Sequence, residues 1–343
     1  MAKYKVAVVG CGERSQRHIR SYEWINCAEV VACYAPTPRR RGKLAGEFGI
    51  RAYADMEEMI MREKPDLVHL VTWPDTRVEL MTLVSRLGVP GCTVEKPIAT
   101  GVSDWKELCK LEETCRTKFA ICHQFRWHPD LVRCRELIQS GKLGNLKFLD
   151  VSAGMNICDQ GTHILNYGMS LNGDSPVASV FGAASGGSQM GTGHPGPDGT
   201  MGYLAFENGV RALWSNGPNA PRCGDPEAPW QHVRVAAYAE RGRVEWEEFG
   251  IWNVVSTDGE ESRDFGGMDT WMENNLKAQA AFHRSMFDWL EDDRKIPGTN
   301  LKQSLHEWRV VLALYASTVS RKPVELARFN PPDDLMQMLL EVL

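Results

Sequence analysis

Tyr4-Lys5-Val6-Ala7-Val8-Val9-Gly10-Cys11-Gly12-Glu13-Arg14-Ser15 opens the chain, and Val30-Val31-Ala32-Cys33-Tyr34 follows a helical stretch. An apolar run ending in Gly-x-Gly, then a helix, then a second apolar run spells a β-α-β unit. Gly10 permits the tight turn, and Gly12 has no side chain to block a pyrophosphate. A helix opening near Glu13 aims its unpaired N–H groups at that anion. Gly-x-Gly alone is a common turn. Its place directly after an N-terminal buried strand makes Gly10, Gly12, Glu13 and Arg14 candidate dinucleotide contacts.

The 343 residues suffice for two domains with sizeable cores. Charge is mixed, with a formal net of −5, and Arg39-Arg40-Arg41 is too short for a polyanion track, so nucleic acid is not expected. No apolar stretch approaches membrane-spanning length. Met1-Ala2-Lys3 leads straight into the first strand, so no signal peptide is expected. The ten cysteines show no Cys-x-x-Cys and no paired Cys/His spacing. They read as reduced thiols of a cytoplasmic protein, without a metal site.

Beyond the second strand, Thr37 is placed to cap a helix with Pro38 at its first position. An acidic residue commonly ends this strand in NAD-binding units, and here Ala35 stands in its place. Arg39 and Arg40 at the helix start suit a 2′-phosphate, which favours NADP over NAD; a solvated helix face is the plainer alternative. Asp55-Met56-Glu57-Glu58 has the form of a capped helix start. Leu67–Val71 reads as a buried parallel strand, so Thr72, Trp73 and Arg77 beyond its carboxyl end should border the cofactor. After a helix over 75–87, the short strand Cys92-Thr93-Val94 finishes in Glu95-Lys96-Pro97. A lysine there is either a surface lysine or a cation presented to a substrate oxygen.

Taken together, Gly10-Cys11-Gly12 with His18, Glu95-Lys96-Pro97, Arg126-Trp127-His128-Pro129, Gly141-Lys142-Leu143-Gly144, Asp159 with Gly161-Thr162-His163, and Ser317 with Arg321-Lys322-Pro323-Val324 form an ordered set along the whole chain. The chain resembles the Gfo/Idh/MocA family of NAD(P)-dependent oxidoreductases. The resemblance implies an α/β protein: an N-terminal Rossmann domain over 1–124, then an α+β domain over 125–343 with a large, mostly antiparallel open sheet. That sheet would face a partner subunit in a homodimer or homotetramer, and the terminal helices would pack back on the first domain. The local pattern agrees, with a strand at Phe119–His123, a helix at Asp130–Ser140 stopped by Gly141, and strand-like runs at 146–151, 176–181, 201–206, 210–214, 233–238 and 244–246. Asn208-Gly209 makes a hairpin turn. Amphipathic helices close the chain at about 273–290 and 301–320.

Asp159 and His163 lie four apart around a helix start, so their side chains can meet. A carboxylate beside an imidazole fixes its tautomer and makes it a tunable proton acceptor, and oxidising a carbinol carbon requires such a base. A helix-capping pair is the bland alternative. Carried over from inositol dehydrogenase-like members, Lys96 polarises the substrate oxygen, Asp159 orients, and His163 is the base. Gln124 and Glu95 join the cofactor set, and His123, Arg126, Trp127 and Asn156 are further substrate contacts. Gly182–Gly202, with His194-Pro195-Gly196-Pro197, reads as a flexible loop. Some positions depart from the family: Ser15 replaces the third Gly or Ala, Trp73 and Arg77 alter a Thr-Pro-Asn-x-x-His pattern, and Asn166 replaces an Asp. The expected activity is NAD(P)-dependent hydride transfer at a secondary hydroxyl of a sugar, polyol or glycoside. Its alternatives are a redox-neutral glycoside hydrolase and a non-catalytic sensor.

Overall fold

In the computed structural model, which describes residues 3–222, 225 and 227–343, six strands and the helices between them build a parallel sheet. The elements run β1 (Tyr4–Val9), α1 (Glu13–Arg20), β2 (Ala28–Tyr34), α2 (Pro38–Phe48), β3 (Arg51–Tyr53), α3 (Met56–Glu63), β4 (Leu67–Leu70), α4 (Arg77–Arg86), β5 (Gly91–Val94), α5 (Val102–Thr114) and β6 (Lys118–Ile121). Strand order is β3-β2-β1-β4-β5-β6, and every pairing is parallel. The order reverses between β1 and β4, where such sheets open a crevice at their carboxyl edge. Gly10 sits at that crevice with φ +98, and a Cβ there would lie 2.1 Å from the Val71 carbonyl oxygen. Asp55 caps α3 by accepting from the Glu58 N–H at 2.6 Å. Thr37 occupies the cap position of α2 without a side-chain bond, so Pro38 alone marks that start.

The second sheet is built by α6 (Pro129–Gln139), β7 (Leu146–Ala153), α7 (Thr162–Leu171), β8 (Val177–Ser185), β9 (Gly199–Phe206), β10 (Arg211–Asn216), β11 (Val233–Ala239), β12 (Gly242–Glu247), β13 (Ile251–Ser256) and β14 (Gly259–Asp264). Beyond β14 the chain runs through α8 (Gly267–Glu291), α9 (Leu301–Ser320), β15 (Val324–Glu325) and α10 (Leu335–Leu340), of which β15 joins the sheet. Its nine strands run β14-β13-β12-β11-β7-β10-β9-β8-β15, antiparallel except for β7 beside β10. Exposed Phe181, Tyr203 and Leu213 stand directly opposite one another on β8, β9 and β10.

Contacts divide the chain into two compact units, one of Met1–Ala99, Lys106–Trp127 and Asn274–Ser304, the other of Thr100–Trp105, His128–Glu273 and Leu305–Leu343. In the first, Val6, Leu67, Ala120 and Cys122 share a core with Ala280, Phe282, Met286 and Phe287 of α8, and Tyr4 stacks on Phe287 at 4.9 Å. In the second, the segment expected as one loop over Gly182–Gly202 is strand at both ends, leaving 186–198 between β8 and β9. Small size decides this: a Cβ on Gly182 or Gly202 would press on Leu314 of α9 at 2.8 or 3.0 Å, so the glycines let the sheet meet the helix. The described cysteines are all free thiols; Met1, Ala2 and Cys223 lie outside the described residues. Among those residues no helix is long and apolar enough to cross a membrane.

Gly10→Ala should destabilise the chain by about 2–4 kcal/mol through backbone strain and the Val71 clash. Urea unfolding of the variant beside the parent chain measures it, and an unchanged midpoint contradicts the turn geometry.

Candidate functional site

At the carboxyl edge of the parallel sheet, Gly12 is exposed and caps the start of α1. No atom lies within 4 Å of where its Cβ would be. That open backbone fits an anion at the helix start. Ala35 is buried at the end of β2, and Arg41 folds back to donate to its carbonyl oxygen at 3.2 Å and that of Pro36 at 3.0 Å. Thr37, Arg39 and Arg40 are exposed on the first turn of α2. The α2 start therefore presents guanidinium groups where a carboxylate is customary.

Thr72 and exposed Trp73 follow β4, but Arg77 is 1% exposed. Its guanidinium makes five hydrogen bonds, to Thr72 O at 2.8 Å, Thr72 Oγ1 at 3.2 Å, Trp73 O at 3.3 Å, Lys96 O at 3.4 Å and Pro97 O at 3.4 Å. Arg77 thus sits inside the protein and stitches the turn after β4 to the turn after β5. Burial pushes its pKa down to about 10, which leaves it charged at neutral pH.

Lys96 is half-buried in the turn after β5. Its neighbour Glu95 is buried, and one oxygen accepts from Arg14 Nε at 2.9 Å and contacts His18 Nε2 at 2.7 Å. Burial alone would raise the Glu95 pKa, but Arg14 and His18 hold it well below the usual carboxylate range. Arg14 and Glu95, both expected at the cofactor, therefore bond each other. His18 leads into a buried set: its Nδ1 is 3.1 Å from His283 Nε2, Gln279 Nε2 is 2.9 Å from that same nitrogen, and Ser21 Oγ is 3.1 Å from His283 Nδ1. His69 stacks on His283 at 4.1 Å and contacts Tyr22 OH at 2.8 Å and Thr93 Oγ1 at 2.5 Å. Ligand atoms of His18, His69 and His283 lie within 4.8 Å of one another. Every one of those ring nitrogens already has a protein partner, so the cluster works as a hydrogen-bond network. Burial drives the pKa of His69 and His283 well below the ordinary imidazole value.

His123, Gln124 and Arg126 are buried beyond β6, and Trp127 packs on Phe282 at 5.2 Å. The ring expected to stack on a sugar thus packs, partly buried, against the core of the first unit.

In the second unit, Ile157–Gly161 forms a wide π turn that runs into α7. Such turns recur at functional positions. Asn156 caps it, its Oδ1 accepting from the Cys158 and Asp159 N–H groups, each at 2.9 Å. Gly161 is required beneath, since a Cβ would lie 2.7 Å from the Asn216 side chain, and Trp214 Nε1 donates to the Gly161 carbonyl at 3.1 Å. Asp159 is bonded to His194 Nδ1. His163 Nδ1 lies 3.1 Å from Tyr167 OH, with the rings stacked at 5.7 Å. When Tyr167 accepts from Nδ1–H, the lone pair of His163 is on Nε2, the arrangement a base requires. Asn166 donates to Glu307 Oε2 at 3.0 Å inside the unit.

Two neighbours of this turn were not among the expected site residues, His194 having been read only as part of a loop. His194 sits in a glycine-rich stretch that carries no periodicity. Trp230 is 53% exposed, and its carbonyl accepts from Gln160 Nε2 at 2.7 Å. Neither lies in a motif; only folding brings them to residues 159–160.

Residues 4–123 match a family model described as an oxidoreductase family with an NAD-binding Rossmann fold, Gfo/Idh/MocA. The chain is similar to a D-apiose dehydrogenase of Paraburkholderia graminis, 28% identical over 231 residues, or 62% of this chain and 60% of that one. It is also similar to the rhizopine catabolism protein MocA of Rhizobium meliloti, 28% identical over 146 residues, or 43% of this chain and 45% of that one. The match thus spans less than two thirds of the length of these curated relatives. An oxidoreductase of Agrobacterium radiobacter, solved with NAD+, L-tartaric acid and magnesium, superposes with a TM-score of 0.80 at 18% identity, covering 95% of this chain and 99% of that one. This last likeness concerns the fold alone.

The buried imidazoles set an acid limit. A histidine whose folded pKa is depressed stabilises the fold above its unfolded pKa of about 6.5, and that contribution is lost as pH falls below it. Glu95, also depressed, withdraws its share only below about pH 4.3. From about pH 6.5 downward, His69 and His283 should each remove roughly 1.4 kcal/mol per pH unit. Urea midpoints at about pH 7.5, 6.0 and 5.0 read this slope, and a flat profile excludes neutral imidazoles at those positions.

Proposed function

We propose that the chain, whose residues 4–123 match the Gfo/Idh/MocA oxidoreductase family model, is an NAD(P)-dependent enzyme of that family acting on a secondary hydroxyl of a sugar or polyol. The observation that carries the proposal is the fixed lysine turn. Lys96 stands at the carboxyl end of β5, with Glu95 held by Arg14 and His18 on one side and its own carbonyl by Arg77 on the other. Its sheet has the open Gly10–Gly12 backbone at the end of β1. The D-apiose dehydrogenase relative supports a small carbohydrate as substrate.

In this proposal Gly10, Gly12 and Glu13 hold the pyrophosphate, and Thr72, Trp73 and Gln124 border the rest of the dinucleotide. A nicotinamide dinucleotide, when bound, supplies or accepts the hydride. The Lys96 ammonium holds the substrate oxygen and stabilises negative charge on it. His163 takes the hydroxyl proton at Nε2, with Tyr167 OH keeping the other proton at Nδ1, and Asp159 orients the substrate hydroxyl toward it. Arg39 and Arg40 favour NADP, because no acidic side chain ends β2 to compete with a 2′-phosphate. A second copy of the chain covers the row of Phe181, Tyr203 and Leu213.

Incubation with NAD or NADP and a panel of pentoses, polyols and glycosides, read as reduced-cofactor absorbance, tests the activity. Release of an aglycone without accumulation of reduced cofactor would replace a net dehydrogenase by a redox-neutral hydrolase. Lys96→Met and His163→Asn should each lower kcat by about 10²-fold or more. Unchanged turnover in both removes them from the chemistry. Arg39→Ala with Arg40→Ala should raise KM for NADP by about tenfold and leave that for NAD unchanged; equal effects on the two cofactors contradict the 2′-phosphate assignment.

A further inference from the structure

We propose that His194 is a positioning residue for Asp159, and that it makes the segment 186–198 part of the catalytic apparatus. The inference rests on the oxidoreductase proposal above and adds a residue to it.

His194 Nδ1 bonds the Asp159 carboxylate from the segment between β8 and β9. An ionised carboxylate only accepts, so the imidazole carries a proton on Nδ1 and the tautomer is set by Asp159. In return, the N–H holds one carboxylate oxygen in place. A surface ion pair between mobile side chains would be worth little. This pair differs, because the backbone on both sides of it is fixed.

Asn156 supplies the first attachment. While its Oδ1 caps the turn that carries Asp159, its Nδ2 donates to Gln189 Oε1 at 2.7 Å and to the His194 carbonyl at 3.2 Å. One amide therefore sets the distance between the Asp159 turn and the His194 peptide. Next to it, the Cys158 thiol donates to the Pro195 carbonyl at 2.9 Å. Gly196 then passes over Ile157, where a Cβ would come within 3.2 Å of Cγ2. At the base of the segment, the Asp198 carboxylate accepts from Ser188 Oγ at 2.8 Å and from the Gln189 N–H at 3.0 Å. Those hydrogen bonds lower the Asp198 pKa.

Held this way, His194 meets Asp159 without the entropy cost of ordering a free loop. The two side chains are 23% and 25% exposed, so water and a small substrate can reach the pair. Asn156 and Cys158 already fasten the backbone, and a strap alone would not need an imidazole. The donor at position 194 acts on the Asp159 carboxylate.

The full-length chain and its His194→Leu, His194→Asn, Asp159→Asn and Asp159→Asn/His194→Leu variants form a double-mutant cycle with a conservative control. D-apiose with NAD or NADP is the probe, alongside deuterium uptake over 186–198. His194→Leu should lower kcat about tenfold with KM for the cofactor unchanged. His194→Asn, which keeps an N–H donor, should recover to within about threefold of the parent. The double variant should be no slower than Asp159→Asn, because the two residues act as one unit. Deuterium uptake over the segment should stay at the parent level in the single variants, because Asn156, Cys158 and Asp198 hold its backbone; raised uptake accompanying the kcat loss would reduce His194 to a strap and overturn the proposal. Unchanged kcat in His194→Leu, or effects that multiply in the double variant, overturn the proposal. Should the parent chain leave D-apiose unoxidised, only the choice of probe fails. Proton NMR of the His194 Nδ1–H then decides the coupling: its low-field resonance should be present in the parent and lost in Asp159→Asn, and its absence from the parent refutes it.

Discussion

The buried carboxylate of Glu95 governs the turn that carries Lys96 in the first unit. Removed from water, it is stable as an anion only because Arg14 and His18 both bind it. That requirement reaches outward: Arg14 must turn inward from the start of α1, and His18 must lie one turn further along the same helix. His18 in turn draws on His283, Ser21 and Gln279. Lys96 occupies the next position after Glu95, so its backbone inherits the rigidity of this network. Arg77 fixes the same turn from the other side.

In the second unit a comparable rigidity comes from shape. Gly161 lets the turn that bears Asp159 rest against Asn216, and Trp214 bonds its carbonyl from below. Gly182 and Gly202 admit Leu314 so that α9 can cover the sheet. Polar groups then complete what packing begins. Asn156 caps the turn, Tyr167 addresses His163, and Glu307 answers Asn166, the residue that departs from the usual aspartate. A glutamate from α9 thus meets an amide where a second carboxylate would have been repelled.

The parallel sheet was legible in the sequence because buried strands and Gly-x-Gly are local signals. Leu67–Leu70 and Gly91–Val94 fall where the apolar runs place them. The hairpin at Asn208-Gly209 was equally plain, with Gly209 at φ +92. Strand β14 was hidden, since Gly-Glu-Glu-Ser-Arg-Asp is exposed throughout and has no apolar alternation. The glycines of β8 and β9 misled for a different reason: composition reports flexibility, whereas these glycines answer to a helix more than a hundred residues away in sequence. Lys96, Asp159 and His163, the proposed site residues, stand in short motifs and could be named. The partners of Glu95 and Asp159 could not, because Arg14 lies 81 positions from Glu95 and His194 lies 35 from Asp159. Arg77 drew attention as an unusual residue, but only its burial shows that it faces carbonyl groups.

The exposed strand β14 has a consequence for the solution behaviour of the protein. It forms one end of a nine-stranded sheet, and its Glu260, Glu261, Arg263 and Asp264 are all exposed. An unprotected strand at that position would offer its amides and carbonyls to another chain. Here an incoming strand would have to set its own side chains beside this dense ionic fringe and strip water from it. Fibrous growth along the hydrogen-bonding direction is thereby discouraged at that margin.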